Sequence, residues 1–435
     1  MYTNKKERAV SYMAHVFSSA DILLPKDRGA EQAKAYSVIA CDQFTSEPHY
    51  WEEYKRNVGN YPSTLNLILP EVYLCKEDEL IPEINKNMIE YENSVLETFF
   101  DSMIYVRRTQ PDGRVRKGII GKVDLEYYKY ESGSKSLIRP TEMTVIERIP
   151  PRVRIRENAT IELPHVMLLI DDPAMAVIDP LDKKLDVMSC AYDFDLMLDA
   201  GHVSGYFIDK VEQRRIYALL ARMSTAHYAK KAYGAADIKP LLFAVGDGNH
   251  SLATAKTVYE RSKELYGKEA KKRPERYALV EIVNLHDSAL DFEPIYRIVK
   301  CDSKENADRL CEFIRESVHS CNGDNSPYGI TLISGEYTEE INVDHPTKSL
   351  PVAYLQELLD AFCNEYPGCV IDYIHGEDSL KKLSCGEYTV GFLFKGMDKS
   401  ELFRSIILDG ILPRKTFSMG HALDKRHYFE ARKIK

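Results

Sequence analysis

The most informative feature of this 435-residue chain is the stretch Leu241-Leu242-Phe243-Ala244-Val245-Gly246-Asp247-Gly248-Asn249-His250-Ser251-Leu252-Ala253-Thr254-Ala255. Its first five residues form an apolar run that is typical of a buried strand. A polar turn with two glycines follows, and a helical pattern then extends from Ser251 to about Tyr266, where Gly267 stops it. The stretch therefore predicts a strand, a glycine-rich turn and a helix N-terminus in direct succession.

This turn has the features of an anion-binding site. The first N–H groups of a helix lack intrahelical acceptors, and the helix dipole adds positive potential there. Gly248 lets the backbone approach a ligand closely, and His250 supplies a donor or a proton carrier. Asp247, Asn249 and Ser251 add further polar groups. The glycine spacing fits neither a Walker A loop nor a dinucleotide fingerprint, so on the pattern alone a plain loop is the alternative.

Composition excludes several classes of protein. The formal net charge of −9 disfavours wholesale nucleic-acid binding. No stretch approaches the ~20 apolar residues that span a bilayer, and the polar N-terminus is unlike a signal peptide. Nine scattered cysteines without a CxxC pair predict reduced thiols in a cytoplasmic protein. We expect small-molecule substrates and neither a nucleic acid nor a membrane as partner, and homodimer formation is left open.

The order of predicted elements indicates an α/β (α+β) fold. Strand, helix and strand over residues 241–284 predict a βαβ-like core, and residues 36–41 predict a second strand followed by a turn and a helix. Hairpin signals make the region after residue 100 rich in strands. We divide the chain into an N-terminal part of the core (1–100), a β-rich insertion (101–209), the core with the 246–251 turn (210–300) and a C-terminal α/β segment with a basic tail (301–435).

Two carboxylates follow the predicted strand at residues 36–41. Asp42 lies in the turn itself, and Glu47 lies where a helix begins. Either side chain is a candidate general base beside a phosphate site. Capping of the helix is an alternative role for Glu47.

Cations that could meet a phosphate occur in two groups. The first is a series with Glu142 among it, namely Arg139, Arg148, Arg152, Arg154 and Arg156. A guanidinium matches two phosphate oxygens, and the alternation of the last three arginines is typical of one face of a strand. The second group is Arg414 and Lys415 in the basic tail, where interleaved apolar residues let the segment pack while it directs cations at a site.

Five stretches together resemble a bacterial and archaeal family known as domain of unknown function 1015. They occur in order along nearly the whole chain, at residues 39–47 (IACDQFTSE), 139–142 (RPTE), 169–173 (LIDDP), 246–251 (GDGNHS) and 412–420 (LPRKTFSMG). The central stretch is also similar to the Gly-x-His-Arg signature of the ParB/sulfiredoxin superfamily. The resemblance implies a ParB/sulfiredoxin-like core that binds nucleotide phosphates at the turn and the helix N-terminus.

The superfamily includes free L-serine kinases with an Asp-Gly-His-x-Arg motif. Asp247, Gly248 and His250 match that motif, whereas Asn249 and Ser251 depart from it. Ser251 stands where arginine is common, so the resemblance implies a substitute cation. The candidates for it are Arg414, Lys415 and Arg148. Glu47 or Asp42 would take the place of the kinases' catalytic glutamate.

The residues and the resemblance together predict a phosphotransferase. ATP, ADP or pyrophosphate would give a phosphoryl group to a small hydroxyl compound, with free L-serine as the best single guess. Asp42, Glu47 and His250 are the catalytic candidates, and Mg²⁺ would neutralise the developing charge. The residues predicted to bind the donor are Asp247 (also the metal ligand), Gly248, Asn249, Ser251, Arg139, Glu142, Arg148, Arg414 and Lys415. A nucleotide-binding switch without kinase activity and a small phosphoanhydride hydrolase are the alternatives.

Overall fold

The computed structural model describes residues 13, 15–131, 133–143, 149–234 and 239–435 of the protein. The fold is mixed α/β and divides into two units, each with its own main sheet. The first unit comprises the described residues up to Leu290 together with His421–Lys435, and the second comprises Asp291–Gly420. Within the described ranges, no helix combines the length and the apolar content that a membrane crossing requires.

Strands and helices alternate along most of the chain. The strands are β1 (Phe17–Ser18), β2 (Ala20–Pro25), β3 (Val38–Ile39), β4 (Leu96–Ser102), β5 (Ile104–Thr109), β6 (Val115–Asp124), β7 (Ile138–Pro140), β8 (Ile161–Glu162), β9 (Val166–Ile170), β10 (Cys190–Asp195), β11 (His202–Phe207), β12 (Phe243–Asp247), β13 (Tyr277–Asn284), β14 (Phe292–Lys300), β15 (Tyr328–Ser334), β16 (Tyr337–Val343), β17 (Val370–His375), β18 (Thr389–Phe394), β19 (Phe417–Met419), β20 (His427–Tyr428) and β21 (Arg432–Lys433). The α-helices are α1 (Ala30–Tyr36), α2 (Pro48–Val58), α3 (Glu77–Ser94), α4 (Ile149–Glu157), α5 (Lys210–Met223), α6 (Ala226–Tyr233), α7 (Asn249–Tyr266), α8 (Lys304–His319), α9 (Pro351–Glu365), α10 (Glu377–Leu383) and α11 (Glu401–Leu408).

A nine-stranded sheet forms the centre of the first unit. Its order is β10-β11-β5-β6-β13-β9-β12-β7, with β1 beside β6. Side chains alternate between its faces, because Met103 and Tyr105 belong to one core cluster and Ile104 and Val106 to the other. Helices α5 and α7 contribute to the first cluster and α3 to the second. Both faces of the sheet are therefore buried, as in other layered α/β proteins.

The predicted strand, turn and helix of the opening stretch are present as β12, Gly248 and α7. The predicted βαβ arrangement is wrong in the direction of its strands. β12 runs antiparallel to β9 and β13 runs parallel to β9, so β12 and β13 are antiparallel with β9 between them. Hydrophobic periodicity identifies the type of an element but carries no information about its partner.

The strand predicted at residues 152–156 is also wrong, because these residues belong to helix α4. Two prolines in its first turn favour a helix start, and arginine is a good helix former. Side chains two positions apart do not share a helix face. Accordingly Arg152, Arg154 and Arg156 pair with different acids, namely Glu71, Glu77 with Asp78, and Glu162.

The units differ from the four predicted parts of the chain. Residues 101–209 and 210–300 contribute strands to the same nine-stranded sheet. The predicted C-terminal segment is divided, because His421–Lys435 returns to the first unit, where β20 pairs with β3 and β21 with β8. Strand pairing joins segments that are remote in sequence, and local signals do not reveal it.

Buried ion pairs hold this returning segment in place. Arg426 Nη1 lies 2.6 Å from Glu281 Oε2, and its Nη2 pairs with Glu430. Arg432 Nη2 lies 2.6 Å from Glu162 Oε1. These ion pairs thereby also fix the backbone position of Lys425, the residue before Arg426, within the first unit.

The second unit is built on a six-stranded antiparallel sheet. Its order is β16-β15-β18-β14-β17, with β19 beside β14. Helix α8 buries Leu310 and Ile314, and helix α9 buries Leu355 and Leu359. These helices supply the apolar interior of the unit.

Candidate functional site

Four chain segments of the first unit meet at the end of β12. β12 ends at Asp247, and its antiparallel neighbour β9 begins directly after His165. Asp42 lies in the turn that follows β3, and Lys425 precedes β20, the partner of β3. The fold thereby assembles Asp42, His165, Asp247 and Lys425, which we call the Asp–His–Lys cluster.

The side chains of the cluster are in direct contact. One ligand atom from each of Asp42, His165 and Asp247 lies within 4.8 Å of the other two. His165 Nε2 is 3.2 Å from Asp42 Oδ2, and Lys425 Nζ is 3.1 Å from Asp247 Oδ2. Two carboxylates, one imidazole and one ammonium group are thus concentrated at the N-terminus of α7.

Each carboxylate has one oxygen held by a neighbouring group. The Gly248 N–H donates to Asp247 Oδ1 at 2.8 Å, and Gln43 Nε2 donates to Asp42 Oδ1 at 2.9 Å. The Oδ2 atoms are the ones that contact Lys425 and His165. The second oxygen of each carboxylate therefore faces the cluster in a fixed orientation.

His165 is oriented from its other side by Tyr428. His165 Nδ1 lies 2.5 Å from Tyr428 Oη, which accepts the Cys41 N–H at 3.2 Å and donates to Cys41 Sγ at 3.4 Å. The Tyr428 hydroxyl thereby holds the Nδ1 side of the His165 ring. Nε2 then faces the cluster, as in metal-binding histidines whose other N–H is held by an oxygen.

Electrostatics favour the charged forms of the pair between Asp42 and His165. Burial by itself raises the pKa of Asp42, but the charge and hydrogen bond of His165, with smaller contributions from other neighbours, hold that pKa below its usual value. Burial lowers the pKa of His165, but Tyr428 and Asp42 outweigh it and raise that pKa well above its usual value. The four charges therefore compensate in two pairs, Asp42 with His165 and Asp247 with Lys425.

The donor set of the cluster fits a divalent cation. Carboxylate oxygens suit Mg²⁺ and Mn²⁺, whereas an imidazole nitrogen suits Zn²⁺ and other transition metals. Asp247, the predicted metal ligand, thus has Asp42 and His165 as neighbours that could ligate the same ion, His165 after release of its Nε2 proton. The imidazole favours a transition metal over Mg²⁺.

Glycine is required at position 248 for two reasons. Its φ of +76° is in the left-handed region. A Cβ there would lie 3.0 Å from the Cα of Val166 and 3.1 Å from the carbonyl oxygen of His165. Close packing of the turn against β9 therefore sets the position of Asp247 relative to His165.

We expect Gly248→Ala to impair the cluster as well as the fold. Left-handed backbone costs an alanine about 1–2 kcal/mol, and the added Cβ would displace the turn from β9. Gly234→Ala is a matched control, because Gly234 ends helix α6 in the same left-handed region with φ of +83° and its Cβ would meet nothing within 4 Å. Calorimetric titration with Mn²⁺ should show a loss of roughly tenfold or more in Gly248→Ala alone. Equal Mn²⁺ affinity in the two variants would contradict this account.

The remaining predicted polar residues lie before α2, after β7 and in the first turn of α7. Glu47 is half exposed, 3.7 Å from the His49 ring, and makes no capping hydrogen bond at the start of α2. Glu142 follows the end of β7, the parallel neighbour of β12, and thus lies at the same sheet edge as the turn. Asn249, His250 and Ser251 form the first turn of α7.

The predicted cations lie in different surroundings. Arg139 is buried, and its guanidinium donates to three backbone carbonyls. Arg148 lies outside the described residues. Arg414 and Lys415 belong to the second unit. There Arg414 Nε donates to Tyr373 Oη at 2.9 Å, and Arg297 donates to the carbonyl of Lys415. Among the residues that the structure describes, Lys425 is the cation that contacts Asp247.

Sequence reasoning does not single out His165 or Lys425. The signal for His165 is a polar residue directly before the apolar run of β9, at a strand end where ligand-binding side chains are common. Lys425 is one of several charges in the basic tail, and nothing local separates it from its neighbours Arg426 and Arg432.

The fold and the site together define an α/β protein with an Asp–His–Lys cluster at the N-terminus of a helix. The chain matches the family described as "Protein of unknown function (DUF1015)" over residues 23–362, and it belongs to that family. The predicted resemblance to this family is thereby confirmed. The chain has no match among curated proteins.

The chain is also similar to several solved structures. A free serine kinase mutant in complex with AMP is 12% identical, with 74% of this chain and 93% of that chain covered and a TM-score of 0.38. A conserved hypothetical protein from Pyrococcus furiosus is 11% identical over 69% and 90%, with a TM-score of 0.33. C-terminally truncated SbnI from Staphylococcus aureus is 12% identical over 69% and 82%, also with a TM-score of 0.33. Likenesses at this level bear on neither the substrate nor the roles of residues.

Proposed function

We propose that this protein transfers a phosphoryl group from a nucleotide or pyrophosphate to a small hydroxyl compound, with free L-serine as the first acceptor to test. The observation that carries the proposal is the convergence of Asp42, His165, Asp247 and Lys425 at the N-terminus of α7. Phosphoryl transfer requires cations and N–H donors for the phosphate oxygens and a group that receives the hydroxyl proton. The cluster contains groups suited to each requirement.

In the proposed reaction the donor phosphates lie between Lys425 and the first turn of α7. The first N–H groups of that helix lack intrahelical acceptors, and the Lys425 ammonium adds a positive charge. Asp247 and His165 would hold a divalent cation, for which the sequence predicts Mg²⁺, and such a cation neutralises charge on the phosphates. These groups would form the ParB/sulfiredoxin-like phosphate site that the sequence resemblance implies.

Asp42 is the proposed acceptor of the hydroxyl proton. A bond forms between the hydroxyl oxygen and the phosphorus, the bond from phosphorus to the leaving oxygen breaks, and the proton passes to the Asp42 carboxylate. Because the pKa of Asp42 lies below its usual value, the transfer is favourable only once the hydroxyl becomes acidic as its bond to phosphorus forms. Before that point Asp42 orients the hydroxyl.

Free L-serine is the first acceptor because of the motif at the turn. Asp247, Gly248 and His250 match the motif of free L-serine kinases. The departure at Ser251 leaves that motif without its arginine. We propose Lys425 as the substitute cation, since it contacts Asp247 directly.

³¹P NMR of the purified protein tests this proposal. ATP, ADP and pyrophosphate are offered with L-serine in separate tubes, each with Mg²⁺ or Mn²⁺, beside matched tubes without serine. We expect a phosphoserine resonance in at least one tube and faster formation with Mn²⁺, because the site contains an imidazole. Release of free phosphate at equal rates with and without serine would show that the protein hydrolyses the donor and does not transfer its phosphoryl group to serine. Donor binding without any product would favour a nucleotide-binding switch.

A further inference from the structure

A pocket of the first unit shares two chain segments with the cluster but has no part in the proposed chemistry. Its volume is about 480 Å³, and its walls are mostly apolar, with Phe44, Leu198 and Leu423 among them. The Phe44 ring stacks on Tyr50 with a centroid distance of 3.7 Å and an angle of 18° between the rings. Tyr50 is buried whereas Phe44 is half-buried, so part of the Phe44 ring stays accessible in the pocket. We call this cavity the Phe44 pocket.

Two chain segments connect the Phe44 pocket to the cluster. Phe44 follows Asp42 by two residues, and Leu423 precedes Lys425 by two residues. Two residues of chain span at most about 7 Å. The Cα atoms of Phe44 and Leu423 therefore lie within about 7 Å of those of Asp42 and Lys425, which brings this wall of the pocket within reach of a nucleotide whose phosphates contact the cluster.

The wall of the pocket is fixed before any ligand binds. Arg108 Nη2 donates to the Leu423 carbonyl at 2.9 Å, and Arg116 Nη1 donates to the Asp424 carbonyl at 2.6 Å. Both arginines are buried. A pocket with such anchored walls is typical of small-molecule sites, which are largely pre-formed.

Phe44 itself has an unusual backbone conformation. Its φ is +50°, and Leu198, in the same wall, has a φ of +55°. Left-handed conformations are unfavourable for side chains of this size and persist where the surroundings hold them, often at ligand sites. The stacked ring is therefore presented to the pocket by a constrained turn.

We propose that the Phe44 pocket binds the aromatic base of a nucleotide whose phosphates lie at the Asp–His–Lys cluster. This inference rests on the proposed function and deepens it, because it makes a nucleotide, rather than pyrophosphate, the donor. Stacking on an aromatic ring accepts any base through its flat face. A purine presents a larger flat face to the Phe44 ring than uracil does, which favours an adenine nucleotide over a uracil nucleotide.

Calorimetric titrations with ADP, UDP and inorganic tripolyphosphate in the presence of Mn²⁺ test the inference. Phe44→Ala should weaken ADP binding about ten- to hundredfold and leave tripolyphosphate binding unchanged. Phe44→Tyr keeps the ring and should retain ADP affinity, which separates loss of stacking from misfolding. Tyr61→Ala, at an exposed tyrosine outside the pocket, is the matched control and should bind both ligands normally. Wild-type protein should prefer ADP to UDP.

The outcomes separate the pocket from the reaction. Unchanged ADP binding in Phe44→Ala, with intact tripolyphosphate binding, would overturn the pocket and leave the proposed function standing. Equal losses of ADP and tripolyphosphate would likewise exclude a site for the base alone. Wild-type protein that binds neither ligand would remove the proposed function, and the inference with it.

Discussion

Asp42→Asn is expected to lower kcat for phosphoryl transfer about a hundred- to ten-thousandfold, whereas Glu47→Gln should leave it within roughly threefold of wild type. Asp42 Oδ2 lies 3.2 Å from His165 Nε2 and faces the cluster. An amide at that position has nearly the same shape but cannot receive the hydroxyl proton. Glu47 is half exposed, and its carboxylate lies beside the His49 ring.

Steady-state kinetics of the two variants, with the donor identified by NMR, distinguish these carboxylates. The loss in Asp42→Asn should appear in kcat, because a proton acceptor acts in the transition state. Circular dichroism melts of both variants verify that the fold is retained. A loss confined to KM would make Asp42 a binding residue, and a larger loss in Glu47→Gln would exchange the two assignments.

Much of the first unit can be predicted where the signals are local. β12, the turn at Gly248 and α7 are predictable because the apolar run, the glycines and the helical period all fall within residues 241–267. Asp42 and Asp247 are predicted as candidates because both lie at the end of a predicted strand. The structure brings these two side chains to the same cluster. Their chemical roles stay predictions.

The rest depends on contacts between remote segments. β9 lies between β12 and β13 although it precedes both along the chain, and no local pattern places it there. His165 gains its position from the placement of β9 between β12 and β13, and its orientation from Tyr428, 263 residues away. The charge of a side chain can be read from a sequence, but the residue that pairs with that charge cannot.

The basic tail shows the same difficulty among neighbours of equal charge. Lys425 contacts Asp247 in the cluster, whereas Arg426 and Arg432 are buried in ion pairs with acids of the central sheet and β8. Lys425 and Arg426 are adjacent in sequence, yet the first side chain lies at the site and the second lies in the interior. Their roles follow from the pairing of β20 and β21, which the sequence pattern does not predict.

Arg426→Ala is expected to lower the free energy of unfolding by about 3–5 kcal/mol at neutral pH. The variant leaves Glu281 and Glu430 without their shared cation, although both are fully buried. Arg116 would remain, but its Nε lies 3.8 Å from Glu281 Oε1, compared with 2.6 Å for Arg426 Nη1 to Oε2. Since Lys425 directly precedes Arg426, the same network also positions the cation of the cluster.

The pH dependence of this loss has a definite sign. In the wild type, burial raises the pKa of Glu281, but Arg426 and Arg116 outweigh burial and hold it below its usual value. That stabilisation is present above the unfolded pKa of about 4.3 and is lost as the pH falls through the folded pKa. Without Arg426, burial would raise the folded pKa of Glu281, so the variant would lose stability as the pH rises instead.

Urea titrations at several pH values should therefore show a difference between wild type and Arg426→Ala that is largest near neutrality and shrinks toward pH 4. Arg154→Ala, which removes an exposed arginine paired with Glu77 and Asp78, should leave the transition nearly unchanged. A difference that grows toward acid pH, or equal losses in the two variants, would show that the buried acids do not depend on Arg426.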